Sequence, residues 1–226
     1  MNIALHIAVD GPAASGKSVV CRILADRLHI LYLDTGVMYR CAAYAALRND
    51  VDPADANACG LLAETMHVAL LPPVENDGRQ ETTLLDGKDI TWDIRSEAVT
   101  AVVSAVAAHP RVRQAVNAFY RTFAEHKSVI MAGRDIAAVV LPEAQIKIFL
   151  TAALNVRAQR RALDMQAQNP SQSVSTEDIM MQLAKRDALD APNIKIAPDA
   201  LIIDSSELTI EQVVDQIAEA AHVIIR

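Results

Sequence analysis

Near the start of the chain, Gly11-Pro12-Ala13-Ala14-Ser15-Gly16-Lys17-Ser18 follows a short apolar run and precedes a helical pattern. That spelling suits the binding of a polyphosphate. Gly11 and Gly16 let the backbone turn sharply and approach a ligand with no Cβ in the way. Consecutive amide N–H groups can then form an anion nest, and the helix behind them adds its free N–H groups and positive dipole end. Lys17 has the reach to meet the terminal phosphates, and the Ser18 hydroxyl is a candidate ligand for Mg²⁺. An ordinary Gly/Pro turn between a strand and a helix is the plainer account. The full signature with its proper flanks favours phosphate.

A polyphosphate needs more positive charge than one lysine. Arg157 and Arg161 are four residues apart and Arg160 is one position off, so all three can project from one side of a helix. There they could neutralise charge on a transferred phosphoryl group, or form a solvated basic face. Gly133-Arg134-Asp135 lies just past a core-type strand, and Asp34-Thr35-Gly36 lies past another. In an open parallel sheet, ligands bind beyond the carboxyl ends of the strands, so Lys17, Asp34, Arg134 and Asp135 could share one cleft. Tyr39, Arg40, Ser104 and Arg113 sit on predicted helices with no pattern to separate them from ordinary helix positions. Arg186 and Asp190 could be a helix salt bridge worth only a few tenths of a kcal/mol.

The elements that must place these residues are legible in outline. Ile3 to Val9 has strand length, and Lys17 to Leu28 is amphipathic, with Val20, Ile23, Leu24 and Leu28 on one face. His29 to Asp34 reads as a second strand and Val37 to Arg48 as a second helix. This is a βαβα opening of an α/β sheet. Val51 to Ala58 has linker composition with a helix start. Val68 to Leu71, Glu81 to Leu85 and Lys88 to Thr91 read as short strands, separated by Pro72-Pro73, Asn76-Asp77-Gly78 and Asp86-Gly87. Asp86-Gly87 predicts a tight hairpin turn. Helices over Ser96 to Ala108 and Pro110 to His126 follow. The core pattern resumes with strands at Ser128 to Ala132 and Gln145 to Leu150, a helix at Leu154 to Gln168 and a polar loop at Asn169 to Ser175. A helix opened by a Ser175/Asp178 capping pattern, a strand at Ala200 to Asp204 and a final helix capped by Thr209 and Gln212 complete the chain.

Composition narrows the function. The chain has 226 residues, 52% of them hydrophobic, which suits one domain with insertions and a sizeable core. A formal net charge of −7 argues against a bulk electrostatic surface for nucleic acid. Cys21, Cys41 and Cys59 form no Cys-x-x-Cys pair, so a disulfide framework or metal cluster is not expected and a reducing cytoplasm fits. No apolar run reaches membrane length, and the first apolar run stops at Asp10 without a signal-peptide pattern.

Several separated motifs resemble those of bacterial cytidylate kinases, in order and over nearly the whole chain. They are DGPAASGKS at Asp10 to Ser18, LYLDTGVMYR at Leu31 to Arg40 and DGKDIT at Asp86 to Thr91. IRSEAV at Ile94 to Val99, VSAVAAHPRVR at Val103 to Arg113, GRD at Gly133 to Asp135 and KIFLTA at Lys147 to Ala152 continue the series, with Arg186-Asp187 and Asp190 closing it. The resemblance implies a P-loop α/β kinase fold: a parallel core sheet, an inserted small β/helical NMP-binding domain and a short helical lid. Residues 1–50 and 127–226 would form the core, with the lid near 157–190. Residues 51–126 would form the NMP-binding region, with its β insertion at 68–91.

It further implies transfer of the ATP γ-phosphoryl group to CMP or dCMP, with Mg²⁺. Gly11, Pro12, Ala13, Ala14, Ser15, Gly16, Lys17, Ser18 and Val19 would wrap the ATP phosphates. Arg40 and Arg134 would hold the CMP phosphate, with Tyr39 in the same substrate set. Thr35, Arg113 and Asp135 would face cytosine, and Ser104, Arg186 and Asp190 the sugar. Lys17, Arg157 and Arg161 would be the catalytic cations, the two arginines on the lid. A cytoplasmic monomer with no nucleic-acid or membrane partner is the matching expectation. The chain departs from the family pattern in three places. Ala132 stands where an Asp is usual before Gly-Arg-Asp, Ala137-Ala138 replace Gly-Thr, and no Arg follows Asp190 at the usual place, where Lys195 is the nearest cation. Asp34 is the candidate to take over the outer shell of Mg²⁺. Rival readings are a kinase for UMP, AMP or a shikimate-like substrate, or a degenerate nucleotide-binding regulatory paralogue.

Overall fold

The computed structural model describes residues 4–79, 81–168 and 175–225. They fall into two compact units: the chain through Asp34 together with the chain from Phe123 onward, and Thr35–Thr122.

The first unit is a five-stranded sheet, order β2-β6-β1-β7-β8, with every pairing parallel. Its strands are β1 (His6–Asp10), β2 (Leu31–Asp34), β6 (Val129–Gly133), β7 (Ile146–Thr151) and β8 (Leu201–Asp204). A parallel sheet is covered on both faces, so its inner strands are apolar throughout. Ile7, Ala8 and Val9 of β1 and Val129, Ile130 and Met131 of β6 are fully buried accordingly. Helix α1 (Lys17–Leu28) packs on α8 (Ile210–Ile225), and both lie on the sheet through Val20, Leu24, Val213, Val214 and Ile217. The α8 cap is reciprocal, as expected: Thr209 Oγ1 accepts from Gln212 N and Gln212 Oε1 accepts from Thr209 N.

Helices α6 (Leu154–Gln168) and α7 (Thr176–Asp190) pair through Ala158, Ala162, Ile179 and Leu183. Ser175 caps α7 by accepting from Asp178 N. Residues 169–174 of the expected polar loop lie outside the described residues.

Ile136–Val140, just past β6, is a π-helical turn. Its first two amides are taken by the side chain of Asp10, to which Ile136 N and Ala137 N donate at 2.7 and 2.9 Å. A helical terminus leaves such N–H groups without intrahelical partners, and a carboxylate meets that need.

The second unit carries α2 (Gly36–Arg48), α3 (Ala56–Thr65), α4 (Glu97–Ala108) and most of α5 (Pro110–Ala124), with an antiparallel sheet of β3 (Val68–Leu71), β4 (Thr82–Leu85) and β5 (Lys88–Asp89). The expected tight turn is present: Asp86 and Gly87 have φ of 50° and 80°, the paired positive values that a two-residue hairpin needs. The linker-like stretch resolves into an N-cap, with Asp55 accepting from Asn57 N and Ala58 N ahead of α3. Helix α2 packs on α4, and Val37, Cys41, Ala45, Leu85, Ile90 and Ile94 form the local core.

Candidate active site

Strand β1 delivers the chain into the glycine-rich loop, and α1 begins at Lys17. Gly11 has φ of +151°, and a Cβ there would collide with the carbonyl oxygen of Leu150 on β7. Glycine is required at this close approach. The Lys17 ammonium is buried and donates to Gly11 O at 2.8 Å, Pro12 O at 2.6 Å and Ser15 Oγ at 3.3 Å. Burial, reinforced by the Arg134 guanidinium, pulls the Lys17 pKa down to about 7, while Asp34 and Asp10 oppose that shift. Ser18 is exposed in the first turn of α1.

The ends of β2, β6 and β1 lie side by side in register: Asp34 pairs with Ala132, and Asp10 with Gly133. The sheet therefore brings Asp34, Arg134 and the glycine-rich loop to one edge. Arg134 donates through Nη1 to Gly11 O at 3.0 Å and through Nε to Asp190 Oδ2 at 2.9 Å. The same Asp190 oxygen lies 3.9 Å from Arg186 Nε, so two guanidinium groups share one carboxylate. Burial and then Arg134 push the Arg186 pKa below its ordinary value, while Asp190 restrains the shift. Asp135 is buried in the same turn.

The arginines of α6 do not project together. Arg157 is buried and donates to Ala152 O, to Ala13 O in the glycine-rich loop and to Asp187 Oδ2. Arg160 turns to Ser205, donating to its Oγ and its carbonyl. Arg161 is exposed. Helical spacing puts the three near one another, but tertiary partners decide where each ends.

In the second unit, Arg40 on α2 donates to Ile94 O at 3.0 Å and Thr100 Oγ1 at 3.1 Å. Arg113 on α5 lies over the Tyr39 ring, 5.7 Å from its centroid, a cation–π arrangement. Thr35 is buried at the start of α2, and Ser104 is half-buried on α4. Tyr39, Arg40, Ser104 and Arg113 thus share the α2–α4–α5 layer.

Asp10 and Asp187 stand within the sequence motifs, but the sequence assigns neither of them a role. Burial pushes the Asp10 pKa up to about 6, against the pull of two backbone hydrogen bonds. A lone Asp between a strand and a Gly carries no signal for that role. Among the described residues no group of three or more His, Cys, Asp or Glu could hold a metal. Mg²⁺ commonly uses one or two protein oxygens beside phosphates and water; Ser18 could supply one of these, with Asp34 in the outer shell.

A parallel sheet whose first strand feeds a Gly-x-x-x-x-Gly-Lys-Ser loop and helix defines a P-loop nucleotide-binding protein of the α/β kinase class. A family model described as cytidylate kinase matches residues 7–223. The chain belongs to the cytidylate kinase family. A cytidylate kinase of Herpetosiphon aurantiacus is 47% identical over 207 residues, which cover 92% of this chain and 90% of the relative. One of Chloroflexus aggregans is 43% identical over 209 residues, with coverage of 92% and 90%. A solved structure of an uncharacterized protein from Eubacterium ventriosum shares the fold, with a TM-score of 0.53 and 14% identity over 98% of this chain and 99% of that one.

Proposed function

We propose that the chain transfers the γ-phosphoryl group of ATP to CMP or dCMP, giving ADP and CDP or dCDP. The observation that carries this reading is the run of family motifs over nearly the whole chain, with the glycine-rich loop, Asp34 and Arg134 at one sheet edge. An oxygen of the acceptor phosphate attacks the γ-phosphorus, and no covalent enzyme intermediate is needed. Gly11 to Val19 hold the ATP phosphates with loop and helix amides. Lys17 and Arg161 place positive charge at the transferred group, and Arg157 acts from the first turn of the same helix. Ser18 would hold Mg²⁺ and Asp34 would orient a water on it; when bound, the ion would supply positive charge to the triphosphate. Arg40 and Arg134 hold the acceptor phosphate with Tyr39 beside them. Ser104, Arg186 and Asp190 meet the sugar. The chain works as a monomer in the cytoplasm; light scattering of the purified protein checks the oligomeric state.

Thr35, Asp135 and Arg113 read the base. Cytosine offers an N4 amino donor and an N3 acceptor, where uracil offers O4 and N3–H. Asp135 accepts from N4, and Arg113 donates to N3. With UMP, Asp135 would face O4 and Arg113 an N–H. Buried polar groups without partners are costly, so kcat/KM for CMP should exceed that for UMP by about 10² or more. A coupled ADP-release assay over CMP, dCMP, UMP and AMP tests the reading. Asp135→Ala and Arg113→Met should each lower kcat/KM for CMP and shrink the CMP/UMP ratio. An unchanged ratio in both variants removes the base-reading role.

A further inference from the structure

Two carboxylates on α7, one turn apart, each hold an arginine, and each arginine donates to a carbonyl of the phosphate loop. Asp190 takes Arg134, which reaches Gly11 O. Asp187 takes Arg157, which reaches Ala13 O at 3.1 Å. The second pair is the shorter, and its arginine is the more buried of the two. Arg157 is 8% exposed and lies 2.7 Å from Asp187, and its three nitrogens each meet one oxygen: Ala152 O, Ala13 O and Asp187 Oδ2. The pair is not optimised for its own stability. Asp187 Oδ1 is buried and has no hydrogen-bond partner among the described residues. A purely structural pair would be expected to use both oxygens, because a buried unpaired acceptor costs stability.

The Ala13 carbonyl belongs to the peptide that also carries the Ala14 N–H. In a trans peptide these two groups point in opposite directions, and no described peptide is cis. With the carbonyl fixed on Arg157, the Ala14 N–H is turned away from it. Ala14 has φ of 58°, the left-handed conformation that lets successive N–H groups form an anion nest. Ala13 and Ala14 also pack against the Ala158, Ala162, Ile179 and Leu183 cluster that joins α6 to α7. The conformation of the phosphate loop is thus tied to the α6–α7 pair by packing and by this arginine.

We infer that Asp187 is a positioning residue for nucleotide binding: through Arg157 it orients the Ala13–Ala14 peptide and keeps the Ala14 N–H available to the triphosphate. This rests on the reading of the loop as the ATP site. Arg157 then contributes through the backbone it holds as well as through its charge.

Calorimetric titration with Mg·ATP, together with steady-state KM for ATP and for CMP, tests it. Asp187→Asn should weaken Mg·ATP binding about tenfold and raise KM for ATP, with KM for CMP within about twofold of wild type. Asp187→Glu should recover part of the loss. In an Arg157→Ala background, Asp187→Asn should cost nothing further, because its effect passes through that arginine. Unchanged ATP affinity in Asp187→Asn overturns the inference. So does an equal loss of ATP and CMP binding, or a full additional loss in the Arg157→Ala background. Should Asp187→Asn not fold, Arg157→Lys supplies the same reading. It keeps the charge but cannot reach all three oxygens, so it should also weaken ATP selectively, and normal ATP affinity there overturns the inference. A wild-type protein that binds no Mg·ATP at all refutes the kinase reading itself.

Discussion

Lys17 is a buried ammonium held by three oxygens of its own loop, and its lowered pKa makes it a proton acceptor when an anion arrives. At about pH 8 it is mostly neutral, and triphosphate binding restores its charge, so binding should take up a proton. At about pH 6 it is already charged, and uptake by this group should vanish. Calorimetry in buffers of different ionisation enthalpy reads the difference. Lys17→Arg, which stays charged throughout, should show no such uptake. Lys17→Ala should lower kcat by about a hundredfold or more with the fold intact, since a preorganised donor at the transferred phosphate is lost. A near-normal kcat would remove Lys17 from the catalytic set.

At the scale of elements, β1 and the π-helical turn after β6 are joined by one carboxylate. Asp10 has a folded pKa of about 6 against an ordinary 3.8. Between those values the folded state binds more protons than the unfolded chain, so this group's contribution to stability is present at lower pH and is lost as pH rises through about 6. The difference in unfolding free energy between wild type and Asp10→Asn should change across that window and be flat above it. Chemical denaturation at a series of pH values measures this. Gly11 marks the other junction, where the loop leaves β1 against the backbone of β7. Gly11→Ala must move backbone rather than a flexible side chain. It should abolish nucleotide binding and lower the melting temperature, as calorimetric titration and thermal unfolding will report.

For the molecule as a whole, the parallel sheet and the α1–α8 layer bury a continuous aliphatic core. Ile217 on α8 is fully buried within it. Ile217→Ala should cost about 3 kcal/mol, the transfer term plus the cavity left behind, and should shift the denaturant midpoint with little change in slope. Among the described residues no helix is long and apolar enough to cross a membrane.

The sequence alone determined what depends on local chemistry and short spacing. The glycine-rich loop, the Asp86-Gly87 turn, the Thr209/Gln212 cap and the apolar β1 and β6 runs each need only neighbours along the chain, so residue type suffices. The ends of β1, β2 and β6 could be aligned from the strand pattern because parallel sheets place ligands at their carboxyl edge. Tertiary structure decided what depends on partners distant in the chain. Helical spacing puts Arg157, Arg160 and Arg161 together, yet Asp187, Ser205 and solvent claim them separately. Asp10 became a cap only when the π-helical turn over a hundred residues later came beside it. Asp187 came within reach of Arg157, and through it of the phosphate loop, because α6 and α7 pack as a pair. A side chain's strongest partner is set by three-dimensional proximity and burial, and the linear pattern carries neither.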